Sequence, residues 1–158
     1  MQAARWPAAC TAHGYDNEAW LLDPDNKLQG ISARPDACLL SYAVLKTEGA
    51  KAHSGSMHNL LGPNYLHSEQ RPKLDWPEQV HPDAPHTFIW HTQEDATVPV
   101  ENAYLMALGL QKHKIPHELH VFPKGAHGLG ICSIDFRRQP SVEQWKPLAQ
   151  NWLRELNF

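Results

Sequence analysis

The sequence predicts an α/β fold in which a parallel sheet of about three strands is flanked by helices. Three observations favour it: short apolar runs, helical patterns of about 12 residues between them, and prolines that separate the two kinds of segment. Strands that alternate with such helices are typical of βαβ units, whose strands are parallel. The chain has 158 residues, of which 42% are hydrophobic, so we expect one domain over residues 1–158.

Three segments have the pattern of strands. Ala37–Leu45 and Thr87–Thr92 are nearly continuous apolar runs, which is typical of strands covered on both faces of a sheet. His117–Phe122 alternates polar and apolar residues and stops at Pro123, so we expect this strand to lie nearer an edge.

Two segments have the apolar spacing of amphipathic helices. One begins after Pro99, and the other forms a stripe from Trp145 to Leu156. Ser141 and Gln144 have the spacing of a capping box ahead of the second helix. In the long connection over residues 46–86 we expect one or two short helices and little else, in a place where ligand-covering segments tend to lie.

Composition argues against several classes of partner. The formal charge is -3 and no basic run occurs, so we expect neither nucleic acid nor a membrane as a partner. The three cysteines are too few and too widely spaced for a disulfide framework or a pair of metal knuckles. No apolar run of about 18 residues and no signal-peptide pattern occurs, so we expect a soluble, cytoplasmic protein. We also expect no cofactor.

The candidate catalytic residues are Asp95 and His127, which follow the second and third predicted strands. Because the carboxyl ends of parallel strands meet at one edge of a sheet, the two side chains should come within hydrogen-bond reach. A carboxylate that holds an imidazole fixes the tautomer needed to take a proton from a hydroxyl, and it stabilises the imidazolium that forms.

Successive blocks of the sequence also resemble one family, the α/β-hydrolase esterases related to acetyl esterases and acetyl-xylan esterases. The blocks occur in the family's order: Ala33–Ala37 with Leu39–Tyr42, Gly55–Ser56 with Leu60–Gly62, Phe88–Thr92 with Asp95 and Val98–Asn102, and Glu118–Gly125 with His127–Gly128. The resemblance implies a partial α/β-hydrolase, the C-terminal half, in which Asp95 and His127 are the acid and the histidine of a catalytic triad. It also implies a small-molecule ester as substrate, with acetylated sugars as one class.

The chain departs from this family at the nucleophile. The G-x-S-x-G elbow is absent, and its place would fall on Met1–Arg5, with Gln2 near the position of the serine. Four other serines are candidates for the nucleophile, and none has the strand-turn-helix context of an elbow: Ser41, Ser54, Ser56 and Ser133. We therefore expect a homo-oligomer, or a partner that supplies the missing half.

Other interpretations stay open on the sequence alone. Glu94 competes with Asp95 as the acid, and both acids could be ordinary loop residues without a catalytic role. A zinc site is a further alternative, with ligands drawn from one set: His91, Glu94, Asp95, His120 and His127. A non-catalytic remnant that forms oligomers through an exposed strand edge is the second functional hypothesis.

Overall fold

The part of the chain that the structure describes is built on a parallel sheet of three strands. The computed structural model describes residues 34–132 and 138–158. Its strands are β1 (Ala37–Ser41), β2 (His86–Thr92) and β3 (His117–Phe122), in the spatial order β1-β2-β3 with both pairs parallel. The predicted α/β fold class is therefore confirmed, and because both strand pairs are parallel the carboxyl ends of all three strands lie at one edge of the sheet.

Helices connect and cover the strands. They are α1 (Ser54–Leu61), α2 (Trp76–Gln79), α3 (Glu101–Lys112), α4 (Pro140–Glu143) and α5 (Trp145–Glu155). Two short 3-10 turns, Tyr65–His67 and Pro72–Leu74, lie between α1 and α2. Within the described ranges, no helix is long and apolar enough to span a membrane.

The two faces of the sheet are buried against different helices, because successive side chains of a strand point to opposite faces. On one face, Ile89 belongs to a cluster that includes Met106 and Leu110 of α3. On the other face, Phe88 and Trp90 pack in a second cluster that includes residues of α5. Every residue of β3 is only half-buried, in agreement with the prediction that this strand lies at the edge.

Two predictions about local structure are wrong. The first strand ends at Ser41, because Tyr42 has a φ of 39° and leaves the extended conformation. The predicted capping box does not form, since Ser141 lies inside α4 and Gln144, at the start of α5, makes no side-chain cap. The connection over 46–86 contains two short helices, as predicted, and two 3-10 turns besides.

A buried asparagine ties this connection to the start of α3. Asn102 is fully buried, and its Oδ1 accepts hydrogen bonds from the backbone N–H groups of Leu45 and Lys46 at 2.9 and 2.8 Å. Its Nδ2 donates to the backbone oxygens of Lys51 and Pro99 at 3.0 and 2.9 Å. One side chain thus fixes the chain after β1 against the loop between β2 and α3.

Candidate active site

Asp95 and His127 meet at the carboxyl ends of β2 and β3. The Nδ1 atom of His127 lies 2.7 Å from Oδ2 of Asp95, which is the distance of a charge-assisted hydrogen bond. The Asp95 side chain is wholly buried, whereas 32% of the His127 side chain is exposed. The structure therefore brings together the two residues that the sequence singled out, with the acid inside and the imidazole at the surface.

The loop after β2 holds Asp95 in place through its other oxygen. Oδ1 accepts hydrogen bonds from the backbone N–H groups of Thr97 and Val98 at 2.9 and 2.8 Å. Burial alone would raise the pKa of Asp95, but the hydrogen bonds from His127, His91 and the Val98 N–H outweigh it and hold that pKa well below its ordinary range. Asp95 is therefore an anion at neutral pH, so Nδ1 of His127 carries the shared hydrogen.

Gly125 sets the course of the loop that carries His127. Its φ of 137° is rare for residues with a side chain, and a Cβ there would lie 2.8 Å from Leu129 Cδ1 and 2.9 Å from Thr92 Cγ2. The Gly125 N–H donates to Oε2 of Glu94 at 3.2 Å, and its carbonyl accepts from Oγ1 of Thr92 at 2.7 Å. Glu94, the competing acid, thus binds the backbone of the loop, and Asp95 holds the histidine.

Tyr42 is a contact residue of the site that the sequence analysis missed. Its ring meets the His127 ring edge to face, with centroids 5.0 Å apart, and its hydroxyl accepts a hydrogen bond from the Gly130 N–H at 3.1 Å. The positive φ of Tyr42 is uncommon for a residue other than glycine, and such strain concentrates at functional sites. In the sequence Tyr42 lies inside the apolar run Ala37–Leu45 and ends the family block Leu39–Tyr42, and neither pattern indicates a contact with His127.

The zinc alternative is wrong for the described part of the chain. His120 does not reach the site, because its Nε2 lies 2.7 Å from Oε2 of Glu118 and its ring packs on Phe88. Across residues 34–132 and 138–158, no three side chains among His, Cys, Asp and Glu are placed to hold a metal ion.

The described serines are occupied elsewhere or lack the context of an elbow. Ser41 Oγ accepts a hydrogen bond from Trp90 Nε1 at 2.8 Å, inside the sheet. Ser56 Oγ lies 2.8 Å from Nδ1 of His53, the residue that caps α1, and Ser54 is the first residue of that helix. Met1–Arg5, where the elbow would fall, and Ser133 lie outside the described residues.

The arrangement is suited to proton transfer. Nδ1 of His127 is bound to an anionic carboxylate, so in the neutral ring Nε2 carries the lone pair. Among the described residues Nε2 makes no hydrogen bond, and the ring is partly exposed. Such an imidazole can accept a proton from a hydroxyl placed against it and later return that proton to a leaving group.

Comparisons with known proteins identify the family of the chain. The prolyl oligopeptidase family, peptidase S9, matches residues 50–147, a range that includes Asp95 and His127. Endo-1,4-beta-xylanase B of Butyrivibrio fibrisolvens is 42% identical over 114 residues, which are 72% of this chain and 18% of that protein. The chain thus spans less than a fifth of the length of this curated relative.

Solved structures of hydrolases resemble most of the chain. An acetyl ester-xyloside bifunctional hydrolase from Caldicellulosiruptor lactoaceticus has a TM-score of 0.79 and 34% identity, covering 95% of this chain and 52% of that one. Esterase 2 of Thermogutta terrifontis, phosphoramylated by tabun, has a TM-score of 0.67 and 26% identity, with 95% and 50% covered. The chain spans about half of each hydrolase, which confirms a partial α/β-hydrolase fold related to esterases. The chain belongs to the prolyl oligopeptidase family.

Proposed function

We propose that the chain supplies the acid and the histidine of a serine-type carboxylic-ester hydrolase. The hydrogen bond between Asp95 and His127, at 2.7 Å, is the observation that carries this proposal. It joins a buried carboxylate to a partly exposed imidazole, which is the pairing that a serine hydrolase needs beside its nucleophile.

In the proposed reaction, Nε2 of His127 takes the proton of a serine hydroxyl as the oxygen attacks the ester carbonyl. Asp95 stays ionised and stabilises the imidazolium. The imidazolium then protonates the leaving alcohol, and an acyl-serine remains, which water hydrolyses by the same route. The serine and the oxyanion donors come from outside the described residues, either upstream of them or from a partner chain.

The proposed substrates are small esters of the acetyl type, with acetylated sugars as the first class to test. This proposal draws on the names of two similar proteins, an acetyl ester-xyloside hydrolase and a xylanase. The family is named after peptidases, so a peptide bond is the competing substrate class. Fold alone does not decide between ester and peptide.

The experiment joins the chain to the N-terminal half of an α/β-hydrolase that carries a G-x-S-x-G elbow and follows the hydrolysis of p-nitrophenyl acetate. We expect turnover by the joined protein and a loss of about 10³-fold or more with His127→Ala. His113→Ala is the matched control, because His113 follows α3 and precedes β3, at the opposite edge of the sheet. A peptide p-nitroanilide run in parallel separates esterase from peptidase activity.

Labelling with a fluorophosphonate probe shows which polypeptide carries the nucleophile. We expect the 158-residue chain by itself to remain unlabelled. The joined protein should be labelled on a serine upstream of β1. Undiminished ester turnover in His127→Ala would refute the proposal, and so would a labelled serine that works without Asp95.

A second candidate is an oligomerising module without activity of its own. Among the described residues β1 is paired with a strand on one side only, and Leu39 at its centre is 37% exposed. An apolar strand edge of this kind favours pairing with another copy of the chain. Light scattering that finds a monomer, without binding of a hydrophobic dye, would count against this candidate.

A further inference from the structure

A second histidine lies against the buried face of the acid. His91, near the end of β2, is fully buried. Its Nε2 atom lies 2.9 Å from the backbone oxygen of Val98 and 3.3 Å from Oδ2 of Asp95. Its Nδ1 atom is buried and has no hydrogen-bond partner among the described residues. The proposed reaction has not used this side chain.

The surroundings of His91 decide where its hydrogen lies. A backbone carbonyl and a carboxylate can only accept hydrogen bonds, so Nε2 must be the nitrogen that carries the hydrogen. A second proton on Nδ1 would be buried without an acceptor, which is costly. The acids that face His91 are Asp95 and, through space, Glu101, which is itself paired with Lys51. His91 is therefore a neutral donor.

We propose that His91 is a positioning residue for Asp95, donating its Nε2–H both to Val98 and to the carboxylate oxygen that holds His127. The inference deepens the proposed function, because it rests on Asp95 being the acid of the triad. In this role the buried His91 imidazole keeps Asp95 ionised and oriented toward His127.

Counting donors shows why this contact matters. Oδ1 of Asp95 accepts from two backbone N–H groups, whereas Oδ2 faces two imidazole nitrogens, one of His127 and one of His91. When His127 gives up or takes up its proton at Nε2, its hold on Oδ2 changes in strength. His91 is the donor to Oδ2 that does not take part in the reaction, so it keeps this oxygen in place throughout.

The first test needs no substitution. Long-range ¹H–¹⁵N correlation spectra of the full chain report which ring nitrogen of each histidine carries hydrogen. We expect His91 to carry its hydrogen on Nε2 and to have a bare Nδ1, because Nε2 faces two acceptors. A bare Nε2 on His91 would overturn the proposal.

The second test uses a pair of variants of equal length. His91→Gln keeps an N–H donor near the position of Nε2, and His91→Met replaces it with an apolar group. Carboxyl ¹³C titration of Asp95 should show a proton affinity about tenfold higher in the methionine variant than in the glutamine variant, as expected when a charged acceptor loses one donor. The glutamine variant should stay close to the wild type.

The readout separates this inference from the proposed function. Equal titration of Asp95 in His91→Gln and His91→Met would refute the role of His91, while the ester hydrolysis assay would still stand or fall on His127. Conversely, absence of ester turnover in the joined protein would reject the proposed function and leave the carboxylate titration unchanged. Near-UV circular dichroism of both variants ensures that folded proteins are compared.

Discussion

Replacing Gly125 by alanine tests whether the loop that carries His127 is held as tightly as the structure indicates. A Cβ at this position would lie 2.8 Å from Leu129 Cδ1 and 2.9 Å from Thr92 Cγ2, so something must shift. Overpacking of this kind costs about 1–3 kcal/mol, and the φ of 137° adds a backbone cost of about 1–3 kcal/mol. The free energy of unfolding should therefore fall by about 2–6 kcal/mol.

Gly128→Ala is the matched control in the same loop. Gly128 also has a positive φ, 81°, but a Cβ there meets nothing within 4 Å. Both variants carry a backbone cost for the positive φ and the usual effect of alanine on the unfolded chain, but only Gly125→Ala adds the overpacking, so it should be the more destabilising by about 1–3 kcal/mol or more. Urea unfolding measures both values. Equal destabilisation by the two alanines would refute the steric argument.

The same pair of variants also links packing to the site. Hydrogen bonds from Thr92 and to Glu94 hold the backbone of Gly125 in place. If a new Cβ displaces this loop, His127 should move away from Asp95. We expect the downfield Nδ1–H resonance of His127 to weaken in Gly125→Ala and to persist in Gly128→Ala.

Three further predictions concern single groups of the site. Asp95→Asn should abolish the Nδ1–H tautomer of His127 seen by ¹⁵N NMR and lower turnover of the joined protein about 10⁴-fold. Glu94→Gln should keep the tautomer, so equal effects of the two variants would contradict the choice of Asp95 as the acid. Tyr42→Phe removes the hydroxyl that accepts from Gly130, so urea unfolding should show a loss of about 0.5–1.5 kcal/mol. Folding lowers the pKa of Asp95, so its ionised carboxylate stabilises the folded protein fully above the ordinary aspartate pKa of about 4. This contribution to the free energy of unfolding is lost as the pH falls through the folded-state pKa. Asp95→Asn should therefore make the free energy of unfolding decline less steeply on the acid side.

The sequence was sufficient to predict the sheet and the two central residues of the site. Continuous apolar runs predicted where β1 and β2 occur in the chain. Strands joined by a crossover are parallel, which predicted that Asp95 and His127 lie at one edge of the sheet. Glu94 and Asp95 are adjacent, so spacing alone left both acids open, and the resemblance to esterases favoured Asp95. The hydrogen bonds of the loop agree with that choice.

The remaining contacts depend on tertiary packing that no local pattern encodes. Tyr42 approaches His127 only because the chain turns out of β1 at a positive φ, whereas the apolar run predicted a longer strand. His91 was singled out from the sequence only as a candidate zinc ligand, and its proposed role follows from its distances to Val98 and Asp95. The capping box at Ser141 failed because a short separate helix, α4, takes up those residues.

The asparagine link between the chain after β1 and the start of α3 has a consequence for anyone who trims this protein. A fragment cut at the borders of the family match, residues 50–147, would keep Asp95 and His127. It would lose Tyr42, the backbone donors to Asn102 at Leu45 and Lys46, and most of α5. A fragment that keeps the hydrogen bond between Asp95 and His127 should therefore start before β1 and run to the end of α5.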